Sequence, residues 1–200
     1  MEFSQDITRI LYDNCSFIAD NFVDPKKKSL FNDINVHRED YEKLFRHFSC
    51  DLKFDHDCYF LARRSPSRQQ LDSRLKDYYM WLEIIEFVFD VFGENVKPGF
   101  NFFQSELLTA IEGSVNLTRK LQALSVFVRE NIKADGIADY VRYLIGYLMK
   151  KQVLDSYSWD QDENVTVYHL TSVFDYFKNF VTSVTLRKKE EENQDSENVN

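Results

Sequence analysis

The sequence is short of glycine and proline, with 5 and 3 in 200 residues, where ordinary domains carry about 7% and about 5%. Long loops and glycine-rich phosphate cradles therefore have little raw material. The Walker loop, G-x-G-x-x-G and G-x-S-x-G are all missing. Three cysteines, Cys15, Cys50 and Cys58, are an odd number and too few for a disulfide scaffold, which points to reduced thiols in a cytoplasm. There is no uncharged apolar run of about 18 residues. The opening MEFSQDITRI carries acids where a secretion signal needs a basic and then an apolar stretch, so the expectation is a soluble, unexported protein. A basic excess is lacking too: 25 Lys and Arg against 33 Asp and Glu leave a net charge of −8, which removes any global attraction to nucleic acid or anionic lipid.

What is present is apolar mass. Hydrophobic residues make up 44% of the chain and aromatic ones 16%, including 18 Phe and 11 Tyr, enough for one large core or two small ones. From Ser4, a candidate N-cap, Ile7, Ile10, Leu11, Phe17, Ile18 and Phe22 fall on helical spacing until Asp24-Pro25. After Lys26-Lys27-Lys28, a second helix is expected from about Arg38 to Phe48, with Tyr41, Leu44, Phe45 and Phe48 on one face. The following CDLKFDHDCYFLA alternates instead. With Asp55-His56-Asp57 as a three-residue loop it predicts a hairpin whose Leu52, Phe54, Cys58 and Phe60 share a face.

Beyond Ser65-Pro66-Ser67 the positions Leu71, Leu75, Tyr78, Leu82, Ile85, Phe89 and Phe92 repeat by 4 and 3. Trp81, Ile84, Phe87, Val88 and Val91 fill much of the remaining circumference, with Glu83, Glu86 and Asp90 as a polar stripe. Such a helix must be buried on several sides, as a domain-connecting or dimer-forming element is. Gly93 to Gly99 marks an internal boundary. The outline then repeats: helices at about 102–112, 117–130 and 137–150, and a hairpin of Val153–Trp159 and Val165–Leu170 around an acidic tip at Asp160 to Asn164. A closing helix at about 171–183 and the charged run from Arg187, read as disordered, end the chain.

Helices followed by a two-stranded wing, given twice, predict a mostly α chain with two small β-hairpin wings: tandem winged-helix domains joined by a long helix. The divisions are an N-terminal winged helix at 1–64, a connecting helix and linker at 65–99, a C-terminal winged helix at 100–185 and a tail at 186–200.

Candidate chemistry is thin. His47, Cys50, His56 and Cys58 are of zinc-ligand type, but in the three-residue-loop register Cys50 lies opposite Ala62, roughly 13 Å along the strand from Cys58. Asp160, Asp162 and Asn164 open like a calcium loop, yet Val165 stands where glycine is needed and Thr171 where a bidentate Glu is needed. The four histidines sit in no catalytic motif. No cofactor or metal is expected, and no positive sign of an enzyme appears.

For the helix at 137–150, Ile137, Val141, Leu144, Ile145 and Leu148 are expected inside, with Asp139, Arg142, Tyr143, Gly146 and Lys150 outside. The candidate partner or DNA contacts are Arg63, Arg64, Arg68, Arg142, Tyr143, Lys150 and Lys151. The candidate dimer or domain contacts are Leu71, Leu75, Tyr78, Leu82, Ile85 and Phe89. Acidic wing tips at Asp55/Asp57 and Asp160/Asp162/Glu163 oppose phosphate binding. The aromatic surplus favours a protein interface.

The helix Tyr41–Phe48, then DLKFDHDCYFLARR with its L-x-F-x(3)-C-Y-F-L at Leu52–Leu61, then the long helix and second wing, resembles the MukE/MksE group of bacterial condensin subunits, the JetC-type subunit of plasmid-defence systems included. The resemblance covers about residues 1–185 in architecture. It implies a non-enzymatic, cytoplasmic and nucleoid-associated kite subunit that homodimerises and binds a kleisin between its winged helices. It further implies support for an SMC-like ATPase, contacted indirectly, in chromosome segregation or plasmid defence, with non-specific DNA contact inside the complex and no membrane partner. The rival reading is a winged-helix transcription regulator with Arg142, Tyr143 and Lys150 facing a DNA groove.

Overall fold

The computed structural model describes residues 1–128, 136–159 and 162–182, apart from the side chains of 70–71, 73–75, 126–128, 159 and 162–164. Ile7 and Leu11, one turn apart and buried, hold a first short helix α1 (Ser4–Thr8) that runs on through a π turn at Arg9–Asp13. It was expected to reach Phe22 and stops at Asp13. Cys15 takes a left-handed φ of 46°, and Ile18 and Ala19 become strand β1 (Ile18–Ala19), paired with Tyr59 and Cys58. Phe17, Ile18 and Ala19 are all buried, so a run covered on both faces of a sheet had matched a helical spacing.

A helix absent from the sequence reading follows. Asp24 accepts from Lys26 N at 2.8 Å, and Pro25 occupies the first turn of α2 (Pro25–Val36), whose Leu30 and Ile34 are buried. An N-cap acid followed by proline was the available signal. The next helix, α3 (Arg38–His47), has Glu39 and Asp40 in its first turn and Arg46 and His47 in its last, each matched to the local dipole. Tyr41 and Phe45 are fully buried, and the Tyr41 hydroxyl donates to Asp33 at 2.5 Å. Phe48 is exposed and packs against Tyr12.

The first wing consists of β2 (Cys50–Asp55) and β3 (Cys58–Arg63). The expected three-residue loop is a two-residue turn, His56-Asp57, both residues with positive φ (46° and 53°). The register therefore shifts by one on the second strand. Tyr59 lies opposite Phe54, Leu61 opposite Leu52, Cys50 opposite Arg63, and Cys58 and Phe60 turn to the other face. Both faces of β3 are covered, Cys58 and Tyr59 being 0% and 2% exposed.

Helix α4 (Arg68–Phe92) is buried by its own chain at Tyr78, Met80, Trp81, Ile84, Ile85 and Phe87, while Glu83, Glu86 and Asp90 stay outside. Gly93, at φ 86°, closes it by donating to Phe89 O at 2.8 Å. Phe102, expected in a helix, pairs instead with Tyr168 in strand β4 (Asn101–Phe103). Helices α5 (Gln104–Glu112), α6 (Val115–Val128) and α7 (Ile137–Lys150) follow, then β5 (Leu154–Trp159), β6 (Asp162–Leu170) and a closing α8 (residues 173–182). On α7, Val141, Leu144, Ile145 and Leu148 are buried and Arg142, Gly146 and Lys150 exposed, as the spacing predicts. Residues 129–130, Asp135, Asp160, Gln161 and everything from 183 on lie outside the described residues, as do the side chains of Leu71, Leu75, Asp162, Glu163 and Asn164.

The result is a mostly helical chain with two small antiparallel sheets, ordered β1-β3-β2 and β4-β6-β5, compatible with a winged-helix-like mixed fold. One continuous apolar core runs through it. Polar clamps tie the two sheets' surroundings together. Asp155, 2% exposed on β5, accepts from Val23 N (2.8 Å), Asp24 N (3.0 Å) and Lys27 Nζ (2.7 Å). Asn21 Oδ1 accepts from Ser172 N at 2.8 Å, and the Ser172 hydroxyl donates to Asp20 at 2.7 Å.

Candidate functional site

A groove of about 360 Å³ opens between the first sheet on one side and α4, α7 and α8 on the other. Its floor is aromatic. Trp81 stacks on Phe177 with ring centroids 3.7 Å apart, and Phe17 touches Phe60, Tyr176 and Phe177 at 5.0–5.7 Å. The rings come from α4, α8, β3 and the segment before β1, which is why no single sequence window revealed the cluster. Tyr147, whose phenol is pushed up by burial and then by Asp77, closes one end.

Two cations stand at the rim. Arg63, at the end of β3, is exposed, and Lys151, just past α7, is half-buried. Among the described residues neither has a carboxylate within ion-pair distance. Among the described residues Asp77 is the one acid in the lining. The groove thus carries a local positive excess in a chain of net charge −8, so it attracts a ligand of the sign the rest of the surface repels.

The two buried thiols of the first wing are held protonated. Burial raises the Cys50 thiol above its usual range, with Arg63 opposing and the neighbouring Cys15 and Asp51 adding to the rise. Cys58, behind the sheet, is raised further by burial and by Asp55, Asp57 and Asp20. Thiols held protonated are inert as nucleophiles. Among the described residues no three His, Cys, Asp or Glu side chains gather as a metal ion requires, and Cys50 faces Arg63 across the wing rather than Ala62. Its apolar floor and charged rim are the pattern of a protein interface core and its edge.

The other candidate residues are dispersed. Arg64 donates from Nε (2.9 Å) and Nη2 (2.8 Å) to Asp51, whose carboxyl that bond holds low. Arg68 is exposed at the start of α4, and Lys150 is exposed while its carbonyl accepts from the Ser16 hydroxyl at 3.2 Å. Arg142 is paired with Asp139 and lies over the Tyr143 ring at 5.6 Å; neither lines the groove. Tyr78 and Ile85 are buried, and Leu82 and Phe89 half-buried, against this chain's own core. The structure brings Arg63 and Lys151 together from two separate basic clusters. It adds Tyr12, Phe17, Trp81, Tyr147, Tyr176, Phe177 and Phe180, which sequence reasoning had not assigned to a site.

The chain is winged-helix-like, and the groove between its first sheet and α4, α7 and α8 has an aromatic floor and two cations at its rim. The family model of the condensin complex protein MksE matches residues 5–181. No curated protein matches the chain. The chain belongs to the MksE condensin complex protein family. Among the described residues no helix is long and apolar enough to cross a membrane.

Proposed function

We propose that this chain is the non-enzymatic kite subunit of an SMC-like condensin, and that its groove receives a kleisin-class partner. The reading takes the chain as two winged-helix units, 1–64 and 100–185, bridged by 65–99, with 186–200 as a charged tail. The subunit acts in the cytoplasm at the nucleoid, assembles as a homodimer, and supports chromosome organisation or plasmid defence while the motor subunit hydrolyses ATP. The carrying observation is the pair of rim cations Arg63 and Lys151 above the Trp81–Phe177 stack, a strongly apolar cleft with unmatched charge. A desolvated aromatic centre with a charged edge supplies both affinity and register.

The test is light scattering of the full chain alone and co-expressed with the kleisin-class subunit of the same genome. A dimer that shifts to a stable heteromeric mass supports the reading. The double reversal Arg63→Glu/Lys151→Glu is expected to weaken that complex by about tenfold or more, because each reversal replaces an attraction by a repulsion. A mass that never changes sinks the proposal.

A further inference from the structure

The central strand of the first sheet lacks a neighbour along part of one side, and that side is a wall of the groove. Arg64 N donates to Ser49 O at 3.1 Å, beyond the last β2–β3 pair. Because bonding direction alternates along an antiparallel strand, Cys58, Phe60 and Ala62 aim their N–H and C=O at β2, while Tyr59, Leu61 and Arg63 aim theirs the opposite way. On that opposite side β1 meets only Tyr59 and Cys58, and Asp20 N donates to Asp57 O at 3.0 Å. Before Phe17 the chain has turned off this line. Cys15 sits at φ 46°, Ser16 N bonds to Ile10 O at 3.1 Å, and the Ser16 hydroxyl bonds to Lys150 O. The backbone groups of Leu61 and Arg63 therefore meet no donor or acceptor among the described residues, and both residues line the groove.

We propose that the groove is a strand-addition site, in which an extended segment of the partner continues the line of β1 and pairs antiparallel with Leu61–Arg63. This rests on the kleisin reading above and adds to it the backbone mode and the chemistry of the segment. Main-chain bonds to an open edge supply affinity without regard to sequence, and alternate side chains supply selectivity. The segment carries a carboxylate that meets Arg63 and Lys151 and an apolar or aromatic side chain that lies over Trp81 and Phe177. Charge complementarity selects this occupant: the rim offers two unpaired cations, and an edge left bare elsewhere on a protein invites indiscriminate pairing unless it is sunk in a cleft with its own charge code.

The experiment is amide hydrogen exchange, read by NMR on the full chain, alone and with overlapping peptides of about fifteen residues spanning the kleisin-class subunit. Calorimetry first establishes which peptide binds. In the free chain the Leu61 and Arg63 amides are expected to exchange at least about tenfold faster than those of Phe60 and Ala62, and in the complex to slow by at least about tenfold. N-methylation of the bound peptide at alternate residues should abolish binding in one phase and spare it in the other. On the protein, Leu61→Pro removes an outward-facing N–H at a place where an edge strand tolerates proline, together with the half-buried Leu61 side chain, and should weaken the peptide more than Leu61→Ala, which loses the side chain and keeps the N–H, while circular dichroism is unchanged for both.

A peptide that binds and leaves Leu61 and Arg63 exchanging as before overturns strand addition and leaves the kleisin reading standing. No binding peptide at all overturns both. Protection already present in the free chain, lost on deleting residues 183–200 or on dilution of a dimer, assigns the edge to this chain's own end or to a second copy and overturns the proposal.

Discussion

The two sheets share one plan and finish it differently. In each, a short flanking strand precedes the helices and then pairs with the far strand of a later hairpin, giving the orders β1-β3-β2 and β4-β6-β5. In the second sheet the flank is sealed to the base: β4 covers Val167 to His169, and Gly99 N and Phe100 O close on Leu170 at 2.8 and 2.9 Å. In the first, β1 covers two residues and, among the described residues, the edge beyond them runs bare into the groove. The repeated motif is closed at the base of the sheet in one copy, and in the other it is closed next to the turn and bare at the base, where it lines the groove. Buried backbone is almost never left unpaired, so the bare edge survives because it lines a cleft rather than the core.

If the two sheets form one cooperative body, damage to the helix packing beside the first sheet must lower the stability of both. The largest effect is expected from Trp81→Ala, which removes a 4% exposed indole stacked on Phe177. Loss of a large buried aromatic costs about 3–5 kcal/mol. Urea unfolding followed by far-ultraviolet and by near-ultraviolet circular dichroism should show one earlier, shared midpoint. Two separated midpoints would mean that the sheets melt independently and that the comparison is between two domains rather than two parts of one.

Asp155 tests the polar clamp. Burial pushes its carboxyl up, but the Lys27 ammonium and the N–H groups of Asp24 and Val23 outweigh that and leave it below the usual range. Asp155→Asn keeps the shape and strands the Lys27 charge, for a loss of about 3 kcal/mol near neutral pH. The sign with pH follows from the lowered folded value. The carboxylate's contribution is complete above the unfolded pKa of about 3.9 and is lost as pH falls through the folded value. The stability gap between the parent and the Asn variant should therefore be flat from about pH 7 to about pH 5 and narrow below about pH 4. A gap that widens in acid would mean that Lys27 and Asp155 do not meet in solution.

Much of the plan was legible because it is written in local periodicity. The 3.6-residue spacing of Val141, Leu144, Ile145 and Leu148 and the alternation on either side of Asp55 gave α7 and the first wing. What local pattern does not carry is pairing between distant segments. Ile18 becomes a strand only because Tyr59 lies beside it, and Phe102 only because Tyr168 does. The groove was illegible for the same reason: its rings come from residues 12 to 180, and Arg63 and Lys151 come to line one groove only in the folded chain. The register error was of another kind. Asp-His-Asp offers no glycine, so the tight turn could not be told from a looser one, although the chain adopts it.

That turn yields the smallest and sharpest test of the comparison. His56 and Asp57 both hold left-handed φ values, a geometry that suits the twist of a two-residue hairpin but presses a side chain against the following carbonyl. Asp57→Gly relieves the second of these positions and keeps the Asp57 carbonyl that accepts from Asp20 N. The relief outweighs the added freedom of glycine in the unfolded chain, for a gain of about 0.5–1 kcal/mol, or about 1–4 °C in Tm. The second hairpin has a register shift at Ser158/Trp159, so glycine introduced at Ser158 has no left-handed residue to relieve and should only destabilise. If Asp57→Gly also lowers the midpoint, the first wing is held in solution by the looser loop, Cys58 and Phe60 return to the face of Leu52, and Leu61 and Arg63 no longer turn their backbone toward the groove.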